Sequence, residues 1–218
     1  MAQRSIAKRL WYQCVHTVCR LTSIVVFRLR CRGREHVPRT GGALVLANHQ
    51  SHLDPALVGL ACDRPMNFLA RESLFRFAPF GWLIQSLDAI PIDREGVGLA
   101  GLKETLRRLK RDELVLIFPE GTRTPDGEIH PFKPGFVALA RRAKQPLLPV
   151  GLDGAFDSWP RTRKLPRPAI IHMEFGPPLE PAEIERLDDD ALVAEIERRV
   201  RECHASARRS RRLASGCD

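Results

Sequence analysis

Apolar runs alternate with amphipathic stretches along most of this chain. Residues 43–47, 114–118 and 147–152 are short runs of Ala, Val, Leu and Ile, and 169–175 is a further one; each predicts a buried strand. Residues 66–70 and 88–92 are shorter pieces of the same kind. Helical patterns lie between them. Residues 97–110 carry Leu99, Leu102, Leu106 and Leu109 at one-face spacing, and 135–144 repeat the pattern more briefly. Residues 73–87 are helical in pattern but broken by Pro79 and Gly81, and a further helix starts at Pro55. After Pro181 a capped amphipathic helix is predicted over 181–207, with Ile184, Leu187, Leu192, Ile196 and Val200 on its apolar side. This order predicts a single α/β domain with a mostly parallel central sheet flanked by helices. Pro149 inside an apolar strand predicts an edge, a bulge or a strand end there. No internal repeat is visible.

The amino end differs. Residues 5–30 predict one amphipathic helix, with Leu10, Val18, Leu21, Val25 and Leu29 near one face and Lys8, Arg9, Arg20, Arg28 and Arg30 supplying charge. Its apolar run is shorter than the roughly 20 residues a spanning helix needs. Apolar, Trp and basic residues together suit a helix lying in a membrane interface; packing on the domain's own core is the competing reading. Arg208, Arg209, Arg211 and Arg212 follow the helix over 181–207 and read as an Arg-rich tail that is either solvated or drawn to anionic lipid.

Charge sharpens this picture. The 218 residues carry a formal net charge of +9, which favours an anionic partner. Aromatic residues are only 6%, too few for base-stacking platforms, and no nucleic-acid recognition motif accompanies the basic residues, so no nucleic acid is expected. Cys14, Cys19, Cys31, Cys62, Cys203 and Cys217 match no zinc or redox spacing and read as reduced thiols of an intracellular protein, although an even number leaves a disulfide framework formally open.

Candidate chemistry is concentrated in loops that follow apolar strands. Asn48-His49-Gln50-Ser51-His52-Leu53-Asp54-Pro55 lies between the strand over 43–47 and the helix that Pro55 opens. Asp54 is expected at the helix N-cap. A neutral imidazole at His49 can take a proton from a hydroxyl, and a carboxylate on its other nitrogen would fix the tautomer. His52 adds a metal reading, because His49, His52 and Asp54 could supply three ligands; no H-E-x-x-H or paired C-x-x-C supports it. Arg94 closes the strand over 88–92 in Ile92-Asp93-Arg94, at the end of a strand where α/β sheets bind ligands. Phe118-Pro119-Glu120-Gly121-Thr122-Arg123 follows the most apolar strand. Gly121 lets the backbone turn, Thr122 and Arg123 offer a hydroxyl and a phosphate donor, and Glu120 either holds Arg123 or binds a polyol hydroxyl. Leu147-Leu148-Pro149-Val150-Gly151 reads mainly as core packing, or as a wall for an acyl chain.

Those four blocks, in that order, resemble the glycerolipid acyltransferase family, with the greatest likeness to bacterial 1-acyl-sn-glycerol-3-phosphate acyltransferases. Arg71-Glu72-Ser73-Leu74-Phe75, Pro79-Phe80-Gly81-Trp82 and Phe132-Lys133-Pro134-Gly135 agree as well. Asp88, where the family often has Gly, and Arg71, where it often has Lys, depart from it. The resemblance spans about residues 33–178. It implies transfer of a fatty acyl group from acyl-CoA or acyl carrier protein to the free hydroxyl of 1-acyl-glycerol-3-phosphate. It implies His49 and Asp54 as the catalytic pair, and Arg94, Glu120, Gly121, Thr122 and Arg123 around the acceptor phosphate. No metal and no cofactor are expected beyond the thioester co-substrate. The expected partners are an anionic membrane surface, a lysophospholipid and the acyl donor, at the cytoplasmic face of the membrane. The chain divides on this reading into residues 1–32, a membrane-associating helix; 33–178, the acyltransferase domain; and 179–218, a C-terminal helix and tail. Another lysolipid acceptor, or a catalytically silent membrane-binding module, are the alternatives.

Overall fold

A computed structural model describes residues 6–71, 89–92 and 99–216. Its centre is a seven-stranded sheet. The strands are β1 (Arg30–Arg32), β2 (Ala43–Ala47), β3 (Met66–Arg71), β4 (Ala89–Ile92), β5 (Leu114–Ile117), β6 (Leu147–Asp153) and β7 (His172–Phe175). Their order across the sheet is β1-β7-β6-β2-β5-β3-β4. Only β6 and β7 pair antiparallel, so β7 and β1 run against the other five strands, and the expected mostly parallel sheet is present.

The continuous apolar runs have a direct cause. Every residue of β2, β5 and β6 is buried, because both faces of the sheet are covered. Alternate side chains serve the two faces. Val45, Leu116 and Leu148 share a core with Leu57 and Val58 of α2 (Asp54–Ala61). Leu44, Leu46 and Val115 face the other way, onto Leu109 of α3 (Leu99–Leu109) and Leu139 of α4 (Val137–Ala143). Leu192, Ile196 and Val200 of the last helix close that second core.

Boundaries shift by a few residues from the sequence pattern. The amino-terminal helix α1 spans Ile6–Phe27, and a single 3-10 turn at Pro134–Phe136 precedes α4. The predicted helix over 73–87 and the residues Asp88 and Arg94 lie outside the described residues. Pro149 sits inside the sheet rather than on its edge. Its missing N–H faces the side where Leu147 pairs with Leu179 and the Pro149 carbonyl accepts from Gly176 N (2.9 Å). The pairing slips by one residue there, from Val150–Phe175 to Leu147–Leu179, so Pro149 lies at a bulge.

The single helix expected over 181–207 is two. After the brief α5 (Ala155–Ser158) and β7, α6 spans Pro181–Arg186 behind a Glu180–Glu183 capping box, and α7 spans Asp189–Ser215. Asp188 starts α7 by accepting from Ala191 N (2.8 Å), and that cap breaks the run. The supposed Arg-rich tail is therefore the last turns of a helix. Arg208 Nε pairs with Asp153 Oδ1 (3.0 Å) and its Nη2 with Glu128 Oε1 (2.8 Å). Arg211 spans Asp153 Oδ2 (2.5 Å) and Asp157 Oδ2 (2.6 Å). Asp153 is only 2% exposed. Burial raises its pKa, but His204, Arg211 and Arg208 outweigh that and hold the carboxyl well below the usual range.

The backbone of α7 lies directly on β6 at Gly151, where an added Cβ would stand 2.0 Å from His204 N and 2.4 Å from the Cys203 carbonyl carbon. Both of those are main-chain atoms and cannot swing aside. Gly151→Ala should destabilise the protein by about 3 kcal/mol or more and lower Tm by roughly 10 °C in a calorimetric melt; an unchanged Tm would show that α7 does not press on β6.

Candidate active site

The loop that follows β2 is held on three sides. Asn48, 1% exposed, bonds β6 twice: its side-chain amide donates to the Leu152 carbonyl (3.0 Å) and its Oδ1 accepts from Leu152 N (2.8 Å). His49 N donates to Glu120 Oε1 (2.8 Å), and the His49 carbonyl accepts from Thr124 N (2.8 Å), both from the loop after β5. Ser51 Oγ and His52 N donate to the Trp159 carbonyl (2.9 and 3.3 Å), beyond α5. These bonds place the loop at the carboxyl end of β2, between its neighbours β5 and β6, where an open α/β sheet leaves a crevice.

Asp54 is the first residue of α2, not its N-cap; Leu53 holds that position. Its carboxylate turns back into the loop. Oδ2 accepts from Gln50 N (2.6 Å), Ser51 N (2.6 Å) and His49 Nδ1 (2.8 Å), and Asp54 is fully buried. A carboxylate can only accept, so Nδ1 carries the proton and Nε2 keeps its lone pair. The His49 side chain is 18% exposed. Phe118 stacks on its ring at 4.0 Å with 16° between planes. The pair thus offers one basic nitrogen in fixed orientation, the arrangement a general base needs.

His52 does not join His49 and Asp54 as a ligand set. Its ring packs on Trp159 at 4.9 Å, and burial, followed by the nearby charge of Arg123, lowers its pKa to about 4. Among the described residues no group of His, Cys, Asp and Glu is arranged to hold a metal. Cys19, Cys31, Cys62 and Cys203 are free thiols.

Glu120 turns inward: Oε1 takes His49 N and Oε2 takes His130 N (3.1 Å), and the residue is 3% exposed. Burial pushes its carboxyl up to about 7 against the pull of those two N–H groups. It is a brace between two loops. Gly121 adopts φ 71° and spends its N–H on the Phe118 carbonyl (3.0 Å), closing a turn, so that amide is not a phosphate donor. Thr122 is exposed and Arg123 half-buried, on the same loop as Glu120 and close enough for Arg123 to act on His52. Arg94 falls outside the described residues, so its relation to this group is not part of the geometry.

Three contributors stood in the quoted motifs without an assigned role. Phe118 was visible only as a motif residue; its place directly after the strand whose loop faces His49 was the available signal. Lys133 carries a cation to the rim, its Nζ 3.3 Å from where a Cβ on Gly121 would be. Gln50 donates from its side chain to the Gly127 carbonyl (2.7 Å), joining the two loops again.

Comparison with known proteins gives a consistent result. Residues 28–153 match the family model described as Acyltransferase. A 1-acyl-sn-glycerol-3-phosphate acyltransferase of Bacillus subtilis is 28% identical over 174 residues, 78% of this chain and 84% of that protein. One from Pseudomonas aeruginosa is 34% identical over 162 residues, 72% of this chain but only 62% of that protein. The crystal structure of the 1-acyl-sn-glycerophosphate acyltransferase PlsC from Thermotoga maritima superposes with a TM-score of 0.79 at 25% identity, covering 94% of this chain and 83% of that one.

The Glu120 brace has a pH signature. Its pKa rises from 4.5 to about 7 on folding, so its stabilising contribution is complete below pH 4.5 and is lost as pH rises through 7. Melts across that window should fall for the wild type relative to Glu120→Gln, which stays neutral throughout. Parallel curves would contradict the shift.

Proposed function

This chain belongs to the acyltransferase family, and we propose that it moves a fatty acyl group from a thioester, acyl-CoA or acyl carrier protein, to the free hydroxyl of 1-acyl-glycerol-3-phosphate, giving phosphatidic acid. The observation that carries this reading is the His49–Asp54 pair, its Nε2 turned outward at the carboxyl end of β2. No side-chain nucleophile is required, because the attacking oxygen comes with the acceptor.

His49 Nε2 takes the proton from the acceptor hydroxyl as its oxygen attacks the thioester carbonyl. Asp54 stabilises the imidazolium that forms. The C–S bond then breaks, and the departing thiolate takes the proton back from His49. The new ester and the free thiol balance the step. Phe118 limits rotation of the imidazole and keeps water from one of its faces. Arg123, with Thr122 and Arg94, holds the acceptor phosphate and so fixes the hydroxyl near the thioester, an advantage that positioning alone can make large. Lys133 adds positive potential at the same rim. Glu120 and Gly121 serve this site by shaping the loop.

A lipid acceptor calls for a lipid surface. Val18, Leu21 and Val25 of α1 are 57%, 57% and 77% exposed, and no helix among the described residues is long and apolar enough to cross a membrane. The exposed apolar side chains support a peripheral or monotopic enzyme at a membrane surface.

The test is thiol release from acyl-CoA or acylated carrier protein, with and without lysophosphatidate. Release should require the lysolipid, and His49→Ala should lower kcat by about 10²–10⁴-fold with its circular dichroism intact; a fully active variant would rule out the base. Dependence on a different lysolipid would keep the chemistry and change the acceptor. Arg123→Ala should raise the KM for lysophosphatidate roughly 10–100-fold, as expected for a charged phosphate contact, with a smaller change in kcat; unchanged kinetics would remove it from the phosphate site.

A further inference from the structure

The loop between α5 and β7 is a second basic feature, distinct from the arginines of α7. From Ser158 to Met173 the chain has no acidic residue, while Arg161, Arg163, Lys164 and Arg167 are all basic. Every residue over 161–168 is exposed, and Leu165 at the middle is 74% exposed. Among the described residues no carboxylate pairs with Arg161, Arg163 or Lys164, whereas Arg208 and Arg211 of α7 are already matched by Asp153, Glu128 and Asp157.

The loop is ordered before it meets anything. Ser158 Oγ donates to the Arg167 carbonyl (2.7 Å) and Arg167 N to the Ser158 carbonyl (3.1 Å), closing its neck. Arg163 N donates to the Pro160 carbonyl (3.2 Å), and Trp159 Nε1 to the Arg163 carbonyl (3.1 Å), fixing its tip. A preformed shape lowers the ordering cost of docking.

Its position follows from the sheet register. β7 starts at His172 opposite Asp153, the last residue of β6, and β1 starts at Arg30 opposite His172. The loop, the start of β1 and the end of α1 therefore share the end of the sheet at which the loop after β2 carries His49. Two contacts tie them together. The Trp159 carbonyl accepts from His52 N and Ser51 Oγ, and the Phe27 carbonyl at the end of α1 accepts from Ile171 N (3.0 Å). The exposed apolar residues of α1 and the exposed Arg28, Arg30 and Arg32 flank the same end.

We propose that residues 160–168 form a second contact with an anionic bilayer: Arg161, Arg163 and Lys164 meet anionic headgroups and Leu165 enters the acyl boundary, so that this loop and α1 together hold His49 at the depth of the lipid hydroxyl. The inference rests on the reading of the acceptor as a lipid. An exposed leucine among basic residues is the composition that lies in an interface. Each basic residue near an anionic surface strengthens binding several-fold, so three together are worth roughly 100-fold.

The experiment is flotation of the full chain with phosphatidylcholine vesicles, plain or mixed with phosphatidylglycerol. The wild type should prefer the anionic vesicles. Arg161→Gln/Arg163→Gln/Lys164→Gln should lose roughly 100-fold of that affinity, Leu165→Ser about tenfold, and Arg209→Gln/Arg212→Gln on α7 much less than the loop triple. Thiol release with a short-chain, water-soluble lysophosphatidate and no vesicles should be unchanged in all three. Because flotation needs no turnover, it separates failure of this proposal from failure of the acyl-transfer reading. A loop triple that floats like the wild type, or a wild type indifferent to phosphatidylglycerol, would overturn it. So would a triple whose only defect is a raised KM for an acylated acidic carrier protein, which would make the loop a donor dock.

Discussion

One carboxylate oxygen organises this protein's site. Asp54 Oδ2 receives two backbone N–H groups and the imidazole Nδ1, all within 2.8 Å and out of contact with water. The two amides belong to the residues that directly follow His49, so the same bonds that bend the loop bring the imidazole back onto the carboxylate. The first turn of α2 adds a favourable field, because a helix N-terminus carries partial positive charge. Structure and chemistry are inseparable at this residue. Without the carboxylate, each buried amide would lose its partner at about 1–3 kcal/mol, and the imidazole would lose its tautomer.

Two other buried carboxylates show what decides the state of such a group. Glu120 is answered only by amides, and its pKa is raised; Asp153 is answered by two guanidinium groups and His204, and its pKa is lowered. Both are almost completely buried, so the difference lies in the partners. Formal charge on the partner repays the cost of burial and neutral dipoles do so incompletely. Asp153 stays ionised and anchors α7 to the end of β6. Glu120 bridges the loops after β2 and β5 with its proton nearly in balance at neutral pH. The family match stops at Asp153, yet α7, beyond it, buries the second face of β2 and β6 and grips that residue.

The sheet was legible because strands buried on both faces must be apolar throughout, and β2, β5 and β6 are. The pairing of His49 with Asp54 was legible for a similar reason: the two lie five residues apart, one on a short loop and the other opening the helix after it, so spacing alone constrains them. Glu120 was not. Its loop composition resembles a ligand contact, and nothing local tells that its oxygens meet backbone N–H groups at His49, far away in sequence, and at His130. The arginines after Ala207 were misread as a tail because their acidic partners lie more than fifty residues upstream. Arg208 and Arg211 are three apart, on one helical face, which was the one local sign of a common target. The break before α7 had a sign too, in the cap at Asp188.

Net charge, finally, informs only once it is placed. The formal +9 suggested an anionic partner, but much of the arginine in the carboxyl-terminal part answers internal acids: Arg199 with Glu195, Arg201 with Glu197, Arg208 and Arg211 with Asp153. Those charges hold helices together and project little field. The arginines of β1 and of the loop before β7 stand exposed instead, at the end of the sheet that carries His49. The cations of that loop have no acidic partner among the described residues, whereas Arg208 and Arg211 of α7 do, so the two groups differ in the field they project. Placement rather than the total therefore decides what such a charge can attract.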